Sequence, residues 1–506
     1  MSLAQTTSIA LIGLEGHLVT VEVNIADGLP AYTLLGLPDA ALTESRERVR
    51  AAIVNCQELW PNRKTTVSLS PAWLPKSGSG FDLAIAIALL SAHGTIPSDR
   101  ISTLVFLGEL SLDGQIRSVR GVLPALMAAY KAGATMAIVP TANAAEAQLM
   151  QGVEIVAMGH LKSVLRWLRT GEREVADEID YQWSELDERL DFSDVAGQPD
   201  ARLAAEIAAT GGHHILLIGP PGAGKTMIAE RIPTIMPQLT ISQALEVTAV
   251  HSLAGGFTTR SPTSLIAPII SPHHTTTRVA MVGGGAHAIK PGACSLAHHG
   301  VLFIDEAPEC LSGVLDSLRQ PLEAGTITIG RSIGNVIFPA QFLLVLAANP
   351  CPCGKFSGRG RNCTCTSMQV RRYLGRLSGP LLDRIDLRVQ VNPVGRIDMA
   401  RSELGETSID IRARVIAARR IAQNRFAGLG FSLNSAIPAR LLRTIFAPER
   451  CAMSFLHDEL EREHITARGL HKIVRVAWTL ADLHAHEIPT LADVTQAHLM
   501  RAGVEL

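Results

Sequence analysis

The chain has 506 residues, 47% hydrophobic and 18% charged, which fits about three folded, well-cored domains at roughly 150 residues each. Its formal net charge is −1, so overall charge gives no argument for a nucleic-acid partner. No apolar run approaches the ~18 residues of a membrane-crossing helix and the N-terminus lacks a basic n-region, so a cytoplasmic protein with no membrane partner is expected.

Residues 1 to about 170 alternate strand-like and helix-like patterns. Residues 19–25 and 64–69 read as strands, 82–92 and 122–132 as helices (the second stopped by Gly133), and 136–139 as a further strand. Residues 171–191 break the pattern with Glu172, Glu174, Asp177, Glu178, Asp180, Glu185, Asp187, Glu188 and Asp191 against Arg173 and Arg189. That run reads either as a solvated linker or as an exposed acidic helix.

A nucleotide-binding domain is expected over 192–394. Its centre is Gly219, Pro220, Pro221, Gly222, Ala223, Gly224, Lys225 and Thr226, the Gly-x-x-x-x-Gly-Lys-Thr pattern of a phosphate-binding P-loop. Apolar residues 214–218 before it read as a buried strand, and 226–231 as the first turns of a helix. Glycines let backbone N–H groups crowd phosphate oxygens, and the helix N-terminus adds a favourable field. Lys225 is expected to neutralise the β and γ phosphates of ATP, and Thr226 to place its hydroxyl on Mg²⁺.

About 80 residues later, apolar 301–304 run into Asp305 and Glu306. A four-residue apolar run suits a central parallel strand, and carboxylates at its end lie where open α/β sheets bind ligands. Asp305 is expected to hold Mg²⁺ and Glu306 to polarise the attacking water. Alternating strands and helices around a P-loop imply an α/β fold, a parallel sheet with helices on both faces.

Charge is unevenly spread. No Asp or Glu occurs over 247–304 or 324–382, while Arg260, Arg278, Lys290, Arg331, Lys355, Arg359, Arg361, Arg371, Arg372 and Arg376 do. Acid-free basic surface suits a polyanion such as single-stranded or branched DNA; buried sheet accounts for 336–348 but not for the Gly/Arg-rich 355–361. Residues 326–331 and 336–339 flank Ser332, Ile333, Gly334 and Asn335, which is hairpin chemistry.

Four of the eight cysteines are Cys351, Cys353, Cys363 and Cys365, two C-x-C pairs separated by nine residues. Paired thiolates on a Gly-rich loop suit a structural, tetrahedral Zn²⁺; unliganded or redox-active thiols are the other reading. Cys56, Cys294, Cys310 and Cys451 are scattered and read as core residues. From 395 to 506 the chain reads as a helical lid, with helices over 409–423, 439–445, 453–463, 468–483 and 491–500.

Several phrases carry a family resemblance. Phe192 to Gln198 resembles the opening segment of AAA+ ATPases. Ala347, Ala348, Asn349 and Pro350 end a strand where those proteins carry sensor 1; Gly379 to Asp386 is similar to the segment with their arginine finger, and Ala467 to Leu470 to sensor 2. The resemblance implies that Asn349 orients the lytic water, that Arg384 reaches a neighbour's γ-phosphate, and that Arg468 touches phosphate. A finger acting on a neighbour implies a homo-oligomer, a hexameric ring.

Pro272-His273-His274-Thr275, Val282 to Gly285, Ser295 to His298, Leu318 to Glu323 and Asn349 to Gly354 narrow it further. Over essentially the whole length the chain resembles the ComM/YifB family, the magnesium-chelatase-like AAA+ ATPases associated with natural transformation and branch-migration helicase activity. By this resemblance the hairpin near Arg331 and the insert at 273–285 are pore loops, and Arg331, His273, His274, Lys355, Arg359 and Arg361 are DNA-contact candidates.

Residues 1–170 resemble the α+β proteolytic domain of Lon proteases. The nucleophile position falls on Gly80 and the lysine position on Leu123, while Ser79 is one residue off and Lys76 and Lys131 are misplaced. Nucleophilic catalysis needs an activated hydroxyl with a base in reach, so an inactive protease fold is expected. A metal-insertion chaperone like magnesium chelatase and an ATP-dependent protease are the rival functions.

Overall fold

A computed structural model describes residues 2–76, 78–172, 190–255, 265–285, 289–331, 334–356, 363–393 and 405–502. Most of the acidic run at 171–191, Arg359, Arg361 and the 394/395 boundary lie outside them.

The N-terminal unit is built on a seven-stranded mixed sheet. Its strands are β1 (Ser2–Ile12), β2 (Glu15–Ala26), β3 (Ala31–Leu35), β4 (Lys64–Ser70), β5 (Leu104–Phe106), β6 (Met136–Pro140) and β7 (Glu154–Met158), in the order β3-β4-β2-β1-β5-β6-β7. Helices α1 (Ser45–Asn55), α2 (Asp82–Ala92), α3 (Val122–Lys131) and α4 (Leu161–Thr170) cover it. Every residue of α2 is buried.

β1 is absent from the sequence reading for a physical reason. Its buried residues include Ala4, Thr6, Ser8 and Ala10, which give no large-apolar alternation. The Thr6 hydroxyl donates to the Ala84 carbonyl at 2.9 Å and the Ser8 hydroxyl to the Phe106 carbonyl at 2.8 Å, so the inward polar groups are satisfied.

The second unit holds a five-stranded parallel sheet. Its strands are β8 (Ile215–Ile218), β9 (Ile269–Ile270), β10 (Val301–Ile304), β13 (Leu343–Ala348) and β14 (Leu387–Gln390), in the order β9-β10-β13-β8-β14. Helices α5 (Pro199–Gly211), α6 (Lys225–Ile235) and α7 (Ile241–Ala254) accompany it. Ile215, Leu217, Phe303 and Val345 pack toward α5 and α6, while Leu216, Ile218, Leu302 and Leu344 pack toward residues 293–318. Burial on both faces explains why these strands read as continuous apolar runs.

Strands β11 (Thr326–Arg331) and β12 (Gly334–Pro339) form the inserted hairpin. Pairing extends to Arg331 opposite Gly334, so β12 starts two residues earlier than expected. Gly13, between β1 and β2, lies against this hairpin: a Cβ there would stand 2.5 Å from a Val336 methyl.

The N-terminal unit also grips α7. The buried Glu146 carboxylate accepts the Leu123 N–H at 2.7 Å and the hydroxyl of Ser252 on α7. Burial pushes the Glu146 carboxyl up, against the Ser252, Leu123 and Asn143 hydrogen bonds.

The C-terminal unit contains α8 (Ser408–Arg425), α9 (Arg450–Glu461), α10 (Ala467–His484) and α11 (Leu491–Ala502). The expected helix over 439–445 is instead a 3₁₀ turn, Leu441–Arg443. Thr444 leaves helical geometry (φ −125°, ψ −93°), and the N–H groups of Thr444 and Phe446 both turn back to the Leu441 carbonyl. Packing of Phe446 edge-on to Phe426 and Trp478 fixes that bend. Cys56, Cys294 and Cys310 are buried as expected, but Cys451, near the start of α9, is exposed. Among the described residues no helix is long and apolar enough to cross a membrane.

One buried ion pair ties α10 to the sheet. The Asp386 carboxylate, just before β14, accepts the His214 N–H at 3.0 Å and meets the Lys472 ammonium at 2.6 Å. Burial alone would raise the Asp386 carboxyl; the Lys472 charge and hydrogen bond together with the neighbouring His213 and His214 outweigh it and hold the group far below the usual carboxylate range. Removing one member of a buried pair strands the other charge. Lys472→Met is therefore expected to cost about 3–5 kcal/mol of stability, measured by denaturant unfolding; a loss below about 1 kcal/mol would show that the pair does not hold this junction.

Candidate nucleotide site

Three neighbouring strands end side by side. β8 and β13 pair Ile218 with Ala348, and β10 and β13 pair Ile304 with Leu346. Gly219, Asp305 and Asn349 therefore leave the sheet at one edge, its carboxyl end, where open α/β sheets take ligands.

The loop out of β8 is shaped by backbone approach. A Cβ on Gly219 would lie 2.2 Å from the Val391 carbonyl oxygen, so no larger residue fits. Gly224 has φ +93°, the left-handed region that turns the loop into α6. Gln198 braces it: its side-chain amide donates to the carbonyls of Ala223 (3.2 Å) and Asn392. Sequence reasoning quoted Gln198 only within a longer motif and gave it no role.

Lys225 is 7% exposed, and its ammonium donates to Gly219 O (2.7 Å), Pro220 O (3.0 Å) and Asn349 Oδ1 (3.1 Å). Burial lowers its pKa, opposed by the charges of Asp305 and Glu306. The Thr226 hydroxyl donates to Asp305 Oδ2 at 2.9 Å. A hydroxyl and a carboxylate side by side are the hard oxygen donors that Mg²⁺ takes, beside a lysine suited to phosphate. The residues present fit Mg·ATP.

Glu306 donates its N–H to Asp305 Oδ1 at 2.8 Å and sits at φ 49°, ψ 40°. A non-glycine residue in that region costs on the order of 1–2 kcal/mol, strain of the kind kept where a side chain must be aimed. Its carboxylate is half exposed, and His274 Nδ1 stands 3.5 Å from Glu306 Oε2. His273 stacks on His274 with ring centroids 4.1 Å apart. The structure thus places His274, expected at DNA, against the Glu306 carboxylate. The pairing of β9 with β10 explains it, because the chain just past β9 emerges beside the end of β10. A two-residue strand gave no sequence signal.

Arg384, expected at a neighbour's phosphate, and Arg468, expected at phosphate, both lie away from this chain's own P-loop. Leu387 opens β14 opposite Ile215, the first residue of β8. Arg384, three residues earlier, is therefore at the amino end of the sheet, about 13 Å of strand away from its own P-loop at ~3.3 Å per residue. It pairs with Glu323, donates to the Pro380 carbonyl, and keeps a buried Nε without an acceptor. Arg468 Nη1 lies 3.5 Å from Asp383, so both arginines share that edge. Arg384 borders a cavity of about 620 Å³ whose lining also includes Arg419, Lys472 and Arg475.

Cys351, Cys353 and Cys363 have sulfurs 3.4, 3.6 and 3.6 Å apart, and all four thiols lie within 4.8 Å of one another. Tetrahedral Zn–S bonds of about 2.3 Å put sulfurs about 3.8 Å apart, so this set fits a metal. Backbone N–H groups of Lys355 and Thr364 pull the Cys353 thiol down to about 5. Lys355 is exposed beside the cluster, and Arg331 ends β11.

Glu246 on α7 accepts from His298 (3.2 Å) and His299 (3.1 Å), immediately before β10. The Gln341 N–H occupies His298 Nδ1, which leaves the proton on Nε2 and unfits that nitrogen for a metal.

In the N-terminal unit the Ser79 hydroxyl donates to Glu109, the Lys76 ammonium is buried on the Leu69 carbonyl (2.9 Å), and Leu123 is wholly buried. No serine–lysine pair is assembled there among these residues.

Residues 191–399 match the family described as magnesium chelatase, subunit ChlI; 21–143 and 405–501 match the subunit's other ChlI segments, the latter its C-terminal part. The chain is 45% identical to an uncharacterised protein of Mycobacterium tuberculosis over 98% of each chain. It is 38% identical to Competence protein ComM of Haemophilus influenzae, covering 99% of this chain and 97% of that one. YifB of Escherichia coli is also 38% identical, over 99% and 96%. A 96-residue stretch, 19% of this chain and 17% of the other, is 34% identical to Lon protease 2 of Bacillus subtilis.

Glu306→Gln is expected to bind Mg·ATP within a few-fold of the parent but to hydrolyse it about 10²-fold or more slowly. Equilibrium binding of a fluorescent ATP analogue and steady-state phosphate release measure the two; unchanged turnover would remove Glu306 from the chemistry.

Proposed function

The chain belongs to the ComM/YifB family of magnesium-chelatase-like AAA+ ATPases, and from that premise we propose that it is a ring-forming, ATP-driven motor on DNA, a branch-migration helicase of homologous recombination or natural transformation. The observation that carries the ring is the division of the site. Lys225, Thr226, Asp305, Glu306 and Asn349 stand at one edge of the sheet, while Arg384 and Arg468 stand at the other.

Bound Mg·ATP supplies the phosphoanhydride to be broken, its charge partly neutralised by the ion. The P-loop N–H groups and Lys225 would hold the β and γ phosphates, and Thr226 and Asp305 would hold the metal. Asn349 orients the water, and Glu306 takes its proton as the oxygen attacks phosphorus and the ADP oxygen leaves. Arg384 of the partner subunit, with Arg468 of the partner subunit beside it, stabilises charge on the transferring phosphoryl group. Assembly into a hexamer follows from such shared sites.

DNA as the partner is supported by the acid-free basic windows, by Lys355 beside the thiol cluster, by the hairpin ending at Arg331, and by the full-length relative named a competence protein. His273, His274, Arg359 and Arg361 remain DNA-contact proposals, His274 also lying 3.5 Å from Glu306 Oε2. The four thiolates would hold a structural Zn²⁺. A cytoplasmic location is part of the same proposal. The rival role of metal-insertion chaperone is favoured by the chelatase family match and predicts stimulation by a porphyrin instead of DNA.

Two experiments test the reading. ATPase rate and junction movement with four-way DNA are expected to rise together and to fall steeply with salt, as phosphate contacts require; turnover indifferent to DNA and immobile junctions would contradict it. Lys225→Ala and Arg384→Ala proteins are each expected to be inactive alone. Mixed in equal amounts they should recover about a quarter of the parent rate, because some interfaces then join an intact P-loop to an intact arginine. No recovery would place Arg384 outside a shared site.

A further inference from the structure

The thiol cluster sits closer to the nucleotide than a remote staple would. β13 runs into Asn349, whose Oδ1 accepts from Lys225, and Cys351 follows two residues later with its side chain fully buried. The Gly354 N–H closes a turn onto the Cys351 carbonyl at 2.9 Å. Gly354 has φ +70°, and a Cβ there would lie 2.6 and 2.7 Å from Cδ and Cγ of Pro221, so this turn rests on the P-loop itself.

The other side of the cluster reaches the water-activating segment. Cys365 precedes Thr366, which caps the helix Ser367–Leu374 through a reciprocal bond with Gln369. Tyr373 in that helix is buried, with its hydroxyl near the Asn349 backbone. Arg376 just beyond it donates to the Pro308 carbonyl and to Glu309, both at 3.0 Å, three residues past Glu306.

Between Asn349 and Thr366 the described residues form neither helix nor strand, and only Cys351 among the four cysteines is buried. Apolar packing therefore holds this segment weakly. A metal closing the segment would fix it at little entropic cost, since ligand geometry replaces the missing core.

We infer that a thiophilic divalent cation of the Zn²⁺ class, bound by Cys351, Cys353, Cys363 and Cys365, is a working part of the ATPase site: its occupancy sets Asn349 against Lys225 and seats the turn at Gly354 on Pro221. The inference rests on the structural-zinc reading and extends it. Binding of ATP, which depends on the P-loop and Lys225, survives loss of the metal; hydrolysis, which depends on the placement of Asn349, does not. Cys351, Cys353, Cys363 and Cys365 are ligands, and the metal they hold is a positioning element, with no role on the reacting atoms.

The test uses the full chain. Elemental analysis of the parent should give about one zinc per chain, and Cys363→Ser/Cys365→Ser should lose it. That variant should keep nucleotide affinity within about threefold while kcat falls about tenfold to 10²-fold, as small misplacements of a positioning group do. Reversible removal of zinc from the parent by a zinc-selective chelator in the presence of Mg²⁺, followed by re-addition, should lower kcat by the same factor and restore it; this arm decides if the cysteine variant fails to bind ATP. Gly354→Ala should retain the zinc and nucleotide binding yet lower kcat. A parent without zinc would overturn the metal reading itself. A parent with zinc whose chelated form hydrolyses ATP at the original rate would overturn the coupling alone.

Discussion

The register of one parallel sheet dictates most of what this chain can do. Because β8, β10 and β13 are paired in phase, their carboxyl ends deliver Lys225, Asp305 and Asn349 to a single point. Because β14 is paired in phase with β8, the residues before it fall at the opposite edge, and Arg384 goes with them. No rotamer change spans a strand length of about 13 Å. Each chain therefore offers a phosphate-holding edge and an arginine edge that cannot serve each other.

Two further junctions tie motion to that sheet. Asp386, buried between the His214 N–H and the Lys472 ammonium, fixes α10 of the lid to the strand that follows the arginine edge. On the other side the N-terminal unit holds α7 through Glu146 and Ser252, and α7 holds His298 and His299 just before β10 through Glu246. A shift at either unit reaches the amino end of a strand of that sheet. The N-terminal fold, with no serine–lysine pair among its described residues, packs on α7 of the nucleotide-binding unit.

The legible part of the site was written in contiguous residues. A P-loop, an apolar run ending in Asp305 and Glu306, and Asn349 at the end of another run are local patterns, and burial on both sheet faces makes the strands visible as unbroken apolar stretches. What escaped was non-local or chemically quiet. β1 hides because its inward face is Ala4, Thr6, Ser8 and Ala10, whose hydroxyls are satisfied by carbonyls. His274 meets Glu306 only through strand order, and Arg468 meets Asp383 only through the lid's placement. The turn at 441–443 looked helical by pattern, but aromatic packing of Phe446 overrode propensity. The two C-x-C pairs were legible as a thiol set, and the fold brings three of their sulfurs to separations of 3.4 to 3.6 Å.

The central claim is that one chain holds only half of a working ATP site. Mass measurement of the Glu306→Gln protein with Mg·ATP and branched DNA at submicromolar concentration tests it most directly. The account predicts a closed assembly of several 54.1 kDa chains, favoured by nucleotide. A single chain under those conditions that still hydrolyses ATP at full rate, when Glu306 is restored, would contradict it.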